Sequence, residues 1–152
     1  MVEITTLTVD ASFFLNAFRA HEAGHAHSKA VLAHLQKQAI PLIVPNLLRA
    51  EVAGALARGQ DDPTLAHRSS SFLFRLPHVV AVTLDSQLAA AAASIAADYR
   101  LKGADAVYVA VAARFGSSLL TRDEEQRERG AAVVATLHPS EIELPRKPTR
   151  EH

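Results

Sequence analysis

Apolar residues recur along the chain in two alternating patterns: short β-branched runs and longer stretches with helical spacing. The runs at 4–9, 41–44, 78–84 and 117–121 predict strands, and a final apolar piece at 131–137 predicts another. Helical spacing predicts helices over 11–20, 22–38, 47–58, 63–76, 86–99 and 103–115. This alternation predicts a three-layer α/β/α sandwich around a central, mostly parallel sheet.

Composition adds limits to this picture. With 152 residues, 49% of them hydrophobic, the chain suffices for one core, and we expect one domain over 1–144 with a short, polar, mobile tail at 145–152. The absence of cysteine excludes a disulfide framework, a thiolate zinc site and a Cys nucleophile, and fits a reducing compartment such as the cytoplasm. No basic leader and no apolar run of about 20 residues occurs, so we expect a soluble protein without a membrane partner.

Charge is balanced, with 16 Lys plus Arg against 16 Asp plus Glu. The protein therefore has no overall positive field that would attract nucleic acid, and any such contact must be local.

Four acidic residues stand where charge is unexpected. Asp10 and Asp123 follow apolar strands, and in a parallel sheet the carboxyl ends of strands share one edge. Glu51 and Asp105 interrupt apolar helices. Taken singly, each has an ordinary explanation: Asp10 and Asp105 as helix caps, Glu51 on a solvated face, Asp123 in a turn.

Taken together, these acids would repel one another at one sheet edge unless a cation lay among them. Ligation by carboxylate oxygens alone suits Mg²⁺ or Mn²⁺, which bind through a few carboxylates and substrate phosphate oxygens. The chemistry that such an ion favours is phosphodiester hydrolysis.

The motifs around these acids resemble those of the PIN-domain family and, within it, the VapC-type toxins of toxin–antitoxin pairs. The matching segments are TVDASFFLNAF at 8–18, PNLLRAEVAGAL at 45–56 and KGADAVYVAVAARFGSSLLTRDEEQR at 102–127. The resemblance spans nearly the whole chain and implies a PIN-like sandwich.

The resemblance also implies roles for individual residues. Asp10 and Asp105 would be the principal metal ligands, with Asp123 and Glu51 completing the catalytic acids. Ser12 and Thr121 stand where the family often has a small hydroxyl residue beside the acids, although turn and cap bonding explains them equally well. The implied activity is a Mg²⁺- or Mn²⁺-dependent endoribonuclease of a type II toxin–antitoxin system, with an RNA substrate, a small antitoxin partner and a homodimeric assembly.

A competing motif lies at 21–25, which reads HEAGH. Two His one helical turn apart around a Glu match the zinc peptidase pattern, with His21 and His25 as ligands and Glu22 as general base. Against this interpretation, the motif straddles a predicted helix start and contains Gly24. The sequence thus leaves two alternatives to the nuclease: a PIN-fold binding module without nuclease activity, and a zinc metallopeptidase.

Overall fold

Strands and helices alternate along residues 4–148, the part of the chain that the computed structural model describes. The strands are β1 Leu7–Val9, β2 Leu42–Pro45, β3 Val79–Val82, β4 Ser118–Leu120 and β5 Thr136–Leu137. The α-helices are α1 Ala11–Phe18, α2 His25–Lys37, α3 Leu47–Gln60, α4 Pro63–Arg75, α5 Ser86–Tyr99, α6 Gly103–Phe115 and α7 Glu124–Gly130. A 3-10 helix, Pro139–Glu141, follows β5.

The sheet has the strand order β3-β2-β1-β4-β5, and every pair is parallel. The chain moves outward from β1 to β2 and β3, then returns across the sheet to β4. Because parallel crossovers are right-handed, this reversal puts α1 to α4 on one face and α5 and α6 on the other. The predicted α/β sandwich with a central parallel sheet is confirmed. The direction changes between β1 and β4, and ligand sites of such sheets lie at that switch point, beyond the carboxyl ends of the strands.

Helix α6 is the most deeply buried helix of the core. All seven residues of 106–112 are buried, and the helix packs against β1, β2 and β4. A helix that is apolar on nearly all sides belongs in the interior, where each buried Val contributes roughly 1.5–3 kcal/mol. This packing fixes the N-terminal turn of α6 relative to the strands that precede the acids.

Strand β3 differs from its prediction. The apolar run at 78–84 predicts a buried strand, but β3 is an edge strand that pairs only with β2, and Val80 is 48% exposed. An apolar run has the same local pattern whether its strand is central or at an edge, because its neighbours are set by tertiary structure.

The chain after β4 also differs. The polar segment EEQRERG forms α7, which lacks the apolar spacing that predicts a helix and begins instead at the cap residue Asp123. Only Thr136–Leu137 of the predicted strand at 131–137 pairs with β4, because residues 131–134 form a turn.

The remaining boundaries shift by small amounts. Helix α2 begins at His25 rather than at residue 22, because Gly24 has a φ of +85°, a left-handed conformation outside helical geometry. Residues 145–148 of the predicted tail have no regular secondary structure, and 149–152 lie outside the described residues. Among the described helices, none combines the length and apolar character needed to cross a membrane.

Candidate active site

Two of the four acids follow neighbouring strands at the switch point. Asp10 comes directly after β1, and Asp123 comes shortly after β4. These strands are paired, and the backbone N–H of Asp10 donates to the carbonyl of Leu120 at 3.3 Å. Each carboxylate also caps a helix: Asp10 accepts from the N–H of Phe13 and Asp123 from that of Gln126. Capping is therefore one role of both residues, and it holds their carboxylates at the same edge of the sheet.

Both carboxylate oxygens of Asp10 are held by hydroxyl groups. Ser12 Oγ donates to Oδ1 at 2.7 Å, and Thr121 Oγ1 donates to Oδ2 at 2.6 Å. The Ser12 hydroxyl also accepts from the backbone N–H of Arg122 at 3.0 Å, so it ties α1 to the loop after β4. The two hydroxyl residues that the sequence places beside the acids thus contact the most buried acid of the group.

Burial raises the pKa of Asp10 to about 6, against a usual value of 3.8. The residue is 4% exposed, and removal from water disfavours the ionised form of the carboxyl group. Hydrogen bonds from Thr121, Ser12 and the Phe13 N–H oppose the increase, and the negative charge of Asp105 adds to it. A buried charge that lacks a positive partner is costly, and Asp10 has no salt bridge within residues 4–148.

Asp105 shares this electrostatic environment from the first turn of α6. Burial, followed by the nearby charges of Asp123 and Glu51, raises its pKa to about 6, while Lys102 acts in the opposite direction. Asp105 is therefore coupled by charge repulsion to each of the other three acids.

Tyr108 joins this group from the next turn of α6. Its hydroxyl donates to Oε1 of Glu51 at 2.5 Å, which links α6 to α3. Burial, followed by the charge of Glu51 and its hydrogen bond, raises the pKa of Tyr108 well above its usual value, and Asp10 and Asp105 act in the same direction. The sequence does not indicate this role for Tyr108, because a tyrosine in an apolar helix is typical of a core position.

Gln126 is a second residue that the sequence did not indicate. Its side chain is fully buried, accepts from Thr121 Oγ1 at 3.3 Å and donates to the backbone carbonyl of Asp105 at 3.2 Å. Its backbone N–H donates to Oδ1 of Asp123, the N-cap residue of α7. One glutamine thus connects the segments that carry Asp105 and Asp123 to Thr121, which in turn holds Asp10. The sequence gives little sign of this role, since Gln126 lies inside a charged run.

A family model for the PIN domain matches residues 7–132. The chain belongs to the PIN-domain family. The matched range contains all four acids, both hydroxyl residues and β1 to β4. Among proteins with curated functions, none matches this PIN domain in sequence.

Solved structures similar to this PIN domain include toxins and toxin–antitoxin complexes. VapC20 of Mycobacterium tuberculosis, described as a toxin that cleaves the sarcin-ricin loop, has a TM-score of 0.68 at 20% identity, over 86% of this chain and 97% of that one. VapBC2 of Rickettsia felis, bound to a DNA fragment from its promoter, has a TM-score of 0.66 at 8% identity, over 88% and 98%. FitAcB of Neisseria gonorrhoeae has a TM-score of 0.61 at 18% identity, over 90% and 100%. At these identities the likeness shows the fold.

The candidate ligands of this PIN domain fit a hard divalent cation that only one or two carboxylates bind directly. All candidate donors are carboxylate oxygens, and two of the four acids are ionised at a cost that a cation would remove. No group of three or more His, Cys, Asp or Glu side chains within residues 4–148 is arranged to hold a metal ion. The fit is therefore to an ion such as Mg²⁺, which keeps several waters and binds through one or two carboxylates.

The HEAGH segment of this PIN domain does not form the helical zinc motif. His21 to Gly24 lie before α2, so His21 and His25 do not share a helix face. Glu22 accepts from Asn16 Nδ2 at 2.7 Å, and the ring Nδ1 of His25 donates to the carbonyl of Asn16 at 2.9 Å. The buried Asn16 thus fixes this turn, and the zinc peptidase prediction is not supported by its geometry.

Replacing Thr121 by Val is expected to destabilise the fold by about 1–3 kcal/mol, because a buried carboxylate loses a hydroxyl donor and the N–H of Asp123 loses its acceptor. Urea unfolding would measure this loss. Thr83→Val is the control, since Thr83 is exposed and its side chain makes no hydrogen bond within residues 4–148. Equal unfolding free energies for the two variants would contradict a structural role of the Thr121 hydroxyl.

Proposed function

We propose that this PIN domain is a Mg²⁺- or Mn²⁺-dependent endoribonuclease that hydrolyses RNA phosphodiester bonds. The observation that carries the proposal is the group formed by Asp10, Glu51, Asp105 and Asp123 at the switch point of a parallel sheet, where two carboxyl groups have pKa values raised to about 6. Mutual repulsion of this kind at a sheet edge is what a divalent cation relieves.

In this proposal, the residues of the chain have separate tasks. Asp10 and Asp105 hold the cation, while Glu51 and Asp123 complete the site directly or through water. A bound divalent cation supplies charge neutralisation at the phosphate and an activated water. Ser12 and Thr121 keep both oxygens of Asp10 in place. Lys102, whose charge acts on Asp105, would attract an RNA phosphate to this edge of the sheet.

The biological setting that we infer is a type II toxin–antitoxin pair in the cytoplasm. The similarity to VapC20, VapBC2 and FitAcB supports this setting. A small antitoxin protein would cover the acidic group, for which an arginine side chain is a suitable counter-charge. A homodimer is supported by large apolar side chains left exposed on the described surface, and these are Leu65, Phe72, Val80, Leu84, Tyr99 and Phe115.

The purified chain is expected to cleave RNA with Mg²⁺ or Mn²⁺ and to lose this activity in EDTA, because the acids do not provide the chemistry without the cation. A panel of structured and single-stranded RNAs, followed on denaturing gels, would measure cleavage, with restoration by added metal as the control for EDTA. Inertness of the folded protein toward every RNA with either metal would contradict the nuclease. It would favour the alternative of a PIN-fold binding module.

A further inference from the structure

Tyr108 and Asp105 lie on the same face of α6, three residues apart. Tyr108 is 1% exposed, yet its hydroxyl reaches out of the apolar core to Glu51 Oε1 at 2.5 Å. Hydrogen bonds from a hydroxyl to an ionised carboxylate are about 2.5–2.7 Å long and are stronger than neutral ones. One helix therefore carries one acid of the group and the donor that holds a second acid.

This hydrogen bond restricts Glu51 in a specific way. Within residues 4–148, Tyr108 is the only hydrogen-bond partner of the Glu51 side chain. A phenol donates a single proton, which occupies one carboxylate oxygen and leaves Oε2 available for another ligand. The bond also joins α3, which carries Glu51, to α6, which carries Asp105.

We propose that Tyr108 is a positioning residue that orients Glu51 for binding of the divalent cation. The inference rests on the proposed function. A buried tyrosine hydroxyl needs a hydrogen-bond partner for stability alone, and a backbone carbonyl would meet that need. Tyr108 instead contacts a carboxylate of the acidic group, as the second partners of metal ligands commonly do.

The test is a comparison of Mn²⁺ affinity in the wild type and four variants, measured by calorimetry on folded protein without RNA. Tyr108→Phe keeps the buried ring and removes only the hydroxyl, and it is expected to weaken Mn²⁺ binding by about 10–100-fold. Tyr99→Phe is the matched control at the other tyrosine of the sequence, which is 38% exposed on α5, and it is expected to leave the affinity unchanged.

Glu51→Gln, alone and combined with Tyr108→Phe, separates positioning from structural support. If Tyr108 acts through Glu51, its substitution adds no further loss of affinity in the Glu51→Gln background. Unchanged Mn²⁺ affinity in Tyr108→Phe, or an equal loss in both backgrounds, would overturn the positioning role while leaving the proposed function intact. A wild-type chain that binds neither Mn²⁺ nor Mg²⁺ would overturn both.

Discussion

Replacing Asp105 by Asn is expected to lower the rate of RNA cleavage at least about a hundredfold while leaving the fold intact. The side chain of Asp105 makes no hydrogen bond within residues 4–148, so its loss removes charge rather than structure. Its ionised form is disfavoured by burial and by Asp123 and Glu51, and the neutral amide relieves this repulsion. The variant should therefore be as stable as the wild type or more so, which is the usual exchange of stability for function at an active site.

Cleavage rates at saturating Mg²⁺, together with urea unfolding in EDTA, would test this separation of activity from stability. Asp98→Asn is the matched control, because it makes the same substitution at an exposed position of α5. Near-wild-type cleavage by Asp105→Asn would contradict the proposed role of the acidic group. A large loss of stability in EDTA would instead show that Asp105 is structural.

The location of the acidic group was predictable because it depends on strand ends. Asp10 and Asp123 follow apolar runs, and two parallel strands bring such positions to one edge whatever the details of packing. Asp105 was predictable from its place at the start of an apolar helix that proves to be buried on nearly all sides. These inferences need only hydrophobic periodicity and the topology of a parallel sheet.

Other parts of the structure depend on tertiary contacts, which the spacing of apolar residues along the chain does not predict. Helix α7 has too few apolar residues for its sequence to indicate a helix, and it forms because Asp123 caps it and Gln126 and Gly130 pack beneath it. The exposed position of Val80 follows from strand order. Tyr108 gains its contact with Glu51 only when α3 and α6 meet, so its local pattern is that of an ordinary core residue.

In the acidic group, the charge that the proposed chemistry needs lowers the stability of the metal-free fold. The same burial that fixes Asp10 between Ser12 and Thr121 makes its charge costly. A cation would convert that cost into affinity, since a group that is ionised at a penalty gains most from a positive partner. The stability of the metal-free chain should therefore report on the site without any measurement of activity.

In EDTA, Asp10→Asn is expected to be more stable than the wild type at pH 7.5. Because the pKa of Asp10 is about 6 in the folded chain and 3.8 in the unfolded chain, the folded state binds this proton more tightly. Ionising Asp10 therefore lowers the free energy of unfolding of the wild type. This loss of stability is small at pH 4, grows as the pH rises toward 6 and is complete above it, where it is on the order of 3 kcal/mol. Asn keeps the acceptor for the cap but disturbs the bonds from Ser12 and Thr121, so the gain should be smaller than the whole penalty.

Urea unfolding of both chains at pH 4 and 7.5 isolates this effect, because the difference between them cancels groups common to both. His138 is one such group: burial and the charges of Arg122 and Arg127 lower its pKa, so it removes stability as the pH falls. Asp85→Asn is the control, and it should change stability at pH 7.5 in the opposite direction, since hydrogen bonding to the Leu88 N–H and the nearby Arg114 lower the pKa of Asp85.

Added Mg²⁺ should stabilise the wild type more than Asp10→Asn at pH 7.5. A variant less stable than the wild type at both pH values by the same amount would show that Asp10 carries no buried charge, and the physical basis for a cation at this edge would be lost.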